Sequence, residues 1–67
     1  MNNWECIFTT DQDYRAEIIR AVLADNEIDS VAVNKKDSSY ISIGEIQIFV
    51  KPEDAILARV IIEQEQL

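Results

Sequence analysis

Between Trp4 and Asn26 the spacing of the apolar residues changes from two to about 3.6, and from Ile46 to Gln64 it makes the same change again. Two strand-to-helix units in one short chain restrict the fold to a sheet with helices packed on it. In the first unit Trp4, Cys6 and Phe8 alternate with Glu5, Ile7 and Thr9, as in a half-buried strand, which puts Cys6 in the core. Thr9-Thr10-Asp11-Gln12-Asp13 then offers a hydroxyl N-cap, with Gln12 three residues after Thr9 as in a capping box and acids in the first turn. The spacing predicts a helix from about Asp11 to Asn26. At 100° per residue Tyr14, Ile18, Ile19, Ala21, Val22 and Leu23 share one broad face, opposite Asp13, Glu17 and Arg20, and that apolar face is expected on the sheet. Arg15 is the one charge inside the apolar sector. Either its stem lies along the core edge with the guanidinium in water, or it contacts an anion or a partner.

Asn26 tolerates the left-handed conformation that ends helices, and Ile28 is placed for the accompanying apolar contact. Val31 to Val33 reads as a second strand. The polar segment Asn34-Lys35-Lys36-Asp37-Ser38-Ser39-Tyr40 follows and holds two of the six basic residues. Tyr40, Ile41 and Ile43 restart an extended pattern that Ile46, Ile48 and Val50 continue on the other parity. The switch falls at the only glycine, Gly44, and predicts a bulge or tight turn, leaving residues 40–50 as one bulged strand or two. Lys51-Pro52-Glu53-Asp54 opens a second helix to about Gln64, since proline suits the first helical position and acids complement the dipole. Ala55, Ile56, Leu57, Ala58, Val60, Ile61 and Ile62 cover well over half of its circumference. That excess serves either a small core wrapped around the helix or a partner interface.

Strand, helix, strand, strand, helix is a split β-α-β arrangement without a final strand, an α+β fold. A right-handed crossover makes the first two strands parallel, and the hairpin return inserts the third antiparallel between them. Both helices then lie on one face, and the 34–40 loop emerges at the sheet end where the first helix begins. Arg15, Lys35 and Lys36 would gather on that rim, with Asp11, Asp13 and Asp37 weakening any anion field.

The 67 residues make a single domain, and one this small buries only about 60 % of the surface its unfolded chain exposes. Apolar residues are 48 % of the chain and evenly spread, which indicates a folded globule. Thirteen acids against six bases give a net charge of −7, which repels phosphate backbones and argues against nucleic acid. No apolar run reaches the ~20 residues of a membrane span. The first residues lack the features of a signal peptide, and a single cysteine forms no internal disulfide, so a cytoplasmic location is expected. With no histidine, the commonest general base and metal ligand is missing, and Cys6 has no imidazole to activate it. The carboxylate pairs Asp11 and Asp13, Asp25 and Glu27, and Glu53 and Asp54 sit at helix ends, where the dipole or solvation accounts for them. One glycine cannot build a phosphate-cradling loop, and no dinucleotide fingerprint is present. No catalytic residue, cofactor or metal site is expected.

The element order, the polar Asn34 to Tyr40 segment, Gly44-Glu45-Ile46 opening the last strand and Val50-Lys51-Pro52-Glu53-Asp54-Ala55 opening the last helix resemble the short prokaryotic signal-transducing domain family, a domain of unknown function. The resemblance implies a ferredoxin-like fold similar to that of PII-type nitrogen regulators, in which the loop between the second and third strands contacts partners. Asn34 to Tyr40 matches that loop by position but is far shorter. Many members carry glycine where Glu27 stands, so either Asn26 caps the first helix here or Glu27 bears a left-handed strain of about 1 kcal/mol. The nucleotide-binding elements of PII proteins have no counterpart in this chain.

The expected function is a non-catalytic regulatory or adaptor domain that binds a protein or a small anionic ligand through Asn34, Lys35, Lys36, Asp37, Ser38, Ser39 and Tyr40, with Arg15 beside them. The bland alternative for Lys35 and Lys36 is a solvated turn, since short basic pairs are common in loops. The competing expectation is an oligomerisation module, a monomer or weak homodimer that pairs through the edge of the first strand or the second helix.

Overall fold

The computed structural model describes residues 3–34 and 45–65. Lys35 to Tyr40 and the expected bulge or turn at Gly44 lie outside the described residues. The elements are β1 (Glu5–Thr10), α1 (Asp13–Asp25), β2 (Ser30–Asn34), β3 (Ile46–Val50) and α2 (Ala55–Glu65), which is entered through a 3-10 turn at Pro52–Asp54. Proline starts that turn because its φ is already helical and its missing N–H would have had no partner there.

Among the described residues the sheet has three strands in the order β1-β3-β2, with β3 antiparallel to both neighbours. Among the described residues β3 is therefore the middle strand, and β1 and β2 are the edges. One face of the sheet carries the cross-strand rows Thr10–Ile46–Asn34, Phe8–Ile48–Ala32 and Glu5–Val50–Ser30. Both helices pack on this face, since Ala16, Ile19 and Leu23 of α1 and Ala55, Ala58, Ile61 and Ile62 of α2 join Ile46, Ile48 and Val50 in one core. Ile19, Leu23, Ile48 and Val50 are fully buried, each stabilising the fold by about 1.5–3 kcal/mol. The ion pairs Lys51–Asp29 at 3.4 Å and Arg59–Glu5 at 3.6 Å lie at the surface, where such pairs contribute at most about 1 kcal/mol. Among the described residues no helix is long and apolar enough to cross a membrane.

The strict alternation expected of β1 is broken by a bulge between Cys6 and Phe8. The inserted residue, Ile7, lets both Ile7 and Phe8 pack against the core at the expense of one ladder pair. Cys6 consequently lies not in the core but opposite Phe49 on the helix-free face, half-buried. Its Sγ is 3.6 Å from the Phe8 carbonyl oxygen.

α1 is rotated about a quarter-turn from the expected packing face. Tyr14, Ile18 and Ala21 point to solvent, and Ala16 joins Ile19 and Leu23 on the sheet. A small residue at position 16 lets the helix approach β3 closely, which an arc centred on Ile18 would not. The capping box is also absent: Gln12 is the N-cap without a side-chain bond, and the Thr10 hydroxyl instead accepts the Gln12 N–H at 3.1 Å.

The C-terminus of α1 decides between the two expected caps. Glu27 N–H bonds Ala24 O and Ile28 N–H bonds Leu23 O, both at 2.9 Å, while Glu27 sits at φ 62°. This is a Schellman motif with Glu27 in the left-handed position and the buried pair Ile28 and Leu23 closing it. Asn26 stays at φ −101° and donates its side-chain amide to Val22 O at 2.8 Å. Glu27 therefore bears the strain that glycine would relieve. Glu27→Gly is expected to raise the unfolding free energy by about 1 kcal/mol in urea titration, since the carboxylate is exposed and the backbone conformation is what glycine favours.

Candidate functional site

Topology assembles the candidate site at the end of the sheet where Thr10, Ile46 and Asn34 share one row. The chain leaves β1 at Thr10, turns through Asp11 and Gln12, and enters α1, with Ala16 N–H bonding Gln12 O at 3.2 Å. Arg15, on the first turn of α1, donates from Nε to Gln12 Oε1 at 3.2 Å. It is half-buried. Phe8, Thr9, Thr10, Asp11, Gln12, Arg15 and Glu45 surround an open cleft of about 710 Å³.

The charges in this cleft limit what it can bind. Among the described residues the lining holds the carboxylates of Asp11 and Glu45 and the guanidinium of Arg15. A protein surface that offers hydrogen bonds and an apolar contact to Phe8 suits this lining.

Of the predicted site residues, the structure places Arg15 on this cleft and Asn34 at the exposed end of β2, on the same rim of the sheet. Asn34 lines a second, smaller cavity of about 340 Å³ with Asp13, Ala16, Glu17, Arg20, Ala32 and Ile46. Lys35, Lys36, Asp37, Ser38, Ser39 and Tyr40 lie outside the described residues. β2 ends at Asn34 and β3 begins at Ile46, next to Glu45, which is a wall of the cleft. Gln12, Thr10 and Glu45 were not among the residues read from the sequence as a site. The Thr9 to Gln12 run carried only a capping signal, and Glu45 reaches the cleft through the pairing of β3 with β1. Among the described residues no group of three His, Cys, Asp or Glu side chains is placed to hold a metal ion.

The element order and the entry to α2 through Pro52–Asp54 carry two of the features on which the sequence resemblance rested. The family model described as "Putative prokaryotic signal transducing protein" matches residues 4–66. The chain belongs to this family. The match spans both strand-to-helix units and the polar segment between them, and the family's description suggests a signal-transducing role for its members. No curated protein and no solved structure matches the chain.

Proposed function

We propose that the chain is a non-catalytic regulatory or adaptor domain of the cytoplasm, with a ferredoxin-like arrangement that lacks the final strand. It contacts a protein partner through Asn34 to Tyr40 and the neighbouring Arg15 cleft. The observation that carries this reading is the common rim: Asn34, Glu45 and Arg15 sit at one end of the sheet, and the only adjacent pair of lysines in the chain follows Asn34 directly. The carboxylates of Asp11 and Glu45 favour a protein over a small anion. Net charge and composition disfavour nucleic acid and membrane as partners. Lys35→Glu combined with Lys36→Glu should abolish recovery of the partner in affinity capture from the native host while leaving the circular dichroism spectrum unchanged. Undiminished recovery by the folded variant refutes the loop as the contact.

A second reading has its own observation. Ile56 and Leu57 on α2 are 77 % and 51 % exposed, so the apolar excess of that helix faces solvent rather than wrapping a core. This supports an oligomerisation module, and substitutions on α2 would then change the sedimentation mass where the loop substitutions would not.

A further inference from the structure

The two edges of the sheet are not equally protected. Edge strands are normally blunted by charge, proline or bulges. β1 is interrupted by its bulge and crossed by the Arg59–Glu5 pair. β2, Ser30-Val31-Ala32-Val33-Asn34, has no charge, no proline and an unbroken register on β3. Arg20 Nη2 donates to Ser30 O at 3.5 Å, as a carbonyl turned to the outer edge allows. In an antiparallel ladder alternate residues turn both backbone groups the same way, which points those of Ala32 and Asn34 outward too.

We infer that the outer edge of β2 pairs antiparallel with the same edge of a second copy of this chain, about a two-fold axis at Ala32. Ser30 then lies opposite Asn34 of the second copy, and the two sheets continue into one. The charges on α1 suit this pairing. Asp13, Glu17 and Arg20 line the cavity beside β2, with Arg20 bonded at the Ser30 end and Asp13 beginning the helix at the Asn34 end. The two-fold axis exchanges those ends, so Arg20 of each copy faces Asp13 and Glu17 of the other. The interface is isologous and closes as a dimer. A net charge of −7 on each copy opposes association, and screening beyond about 8 Å at physiological salt leaves the local pairs to favour it. The pairing is therefore weak.

Sedimentation equilibrium at physiological salt tests this, from micromolar to near-millimolar protein. The weight-average mass should rise from the 7.7 kDa of the monomer towards twice that value. Ala32→Pro removes an outward N–H without touching the β3 ladder, and should hold the mass at the monomer value while the circular dichroism spectrum is kept. Arg20→Glu, on an exposed side chain, should weaken dimerisation at least tenfold, and Arg20→Glu with Glu17→Arg should restore it. A native chain that stays monomeric throughout overturns the inference. So does a dimer that both Ala32→Pro and Arg20→Glu leave unchanged, or an Arg20→Glu defect that the charge exchange does not repair.

Discussion

Replacing Ile19 by alanine is expected to lower the unfolding free energy by about 3 kcal/mol, whereas the same replacement at Ile18 lowers it by less than about 1 kcal/mol. The two isoleucines are neighbours with identical propensity, so the difference measures only which way α1 faces. Ile19 is fully buried against β3, and Ile18 is 45 % exposed. Truncating Ile19 removes apolar contact and leaves a cavity that the surrounding helix and sheet cannot fully close. A domain of this size holds roughly 3–5 kcal/mol from its single core, so Ile19→Ala should populate the unfolded state visibly at room temperature. Equal losses at the two positions in urea titration would return α1 to the face centred on Ile18.

The larger effect is expected on α2. Ala58 is fully buried, and Ala58→Glu would place a carboxylate in a core that, among the described residues, holds no buried polar or charged side chain. An unpaired buried charge costs several kcal/mol even after relaxation, as much as the fold holds in total. The variant should lose its cooperative thermal transition. Ile56→Glu, two residues earlier on the solvent side, should keep it and change stability by no more than about 0.5 kcal/mol. The contrast separates a helix wrapped by its own core from one whose apolar excess is displayed.

These two pairs mark where the sequence stops being informative. The order of elements is legible because period two and period 3.6 cannot be exchanged, and Lys51-Pro52-Glu53-Asp54 starts a helix on local chemistry alone. The orientation of the helices is not legible, because Tyr14, Ile18, Ile19, Ala21, Val22 and Leu23 form an arc wider than one sheet contact needs. The choice among them rests on Ala16, whose small side chain is a weak signal in sequence and a strong one in packing. The bulge at Ile7 is hidden for a similar reason, since one inserted residue leaves the alternation of Trp4, Cys6 and Phe8 intact on paper. Arg15 stood out as the only charge in an apolar sector, and it does border the cleft. Asp11 is expected on that rim from the sequence, and Glu45 joins it only through the pairing of β1 with β3. Glu27 was posed by the sequence as one of two caps, and the backbone hydrogen bonds to Ala24 and Leu23 resolve the choice.

The most direct test of the functional account is amide hydrogen exchange on the chain in complex with the partner it captures. Protection is predicted at Asn34 to Tyr40 and at Asp11 to Arg15, with α2 exchanging as in the free chain. Protection confined to Ala55–Glu65, with the 34–40 amides unaffected, would contradict it.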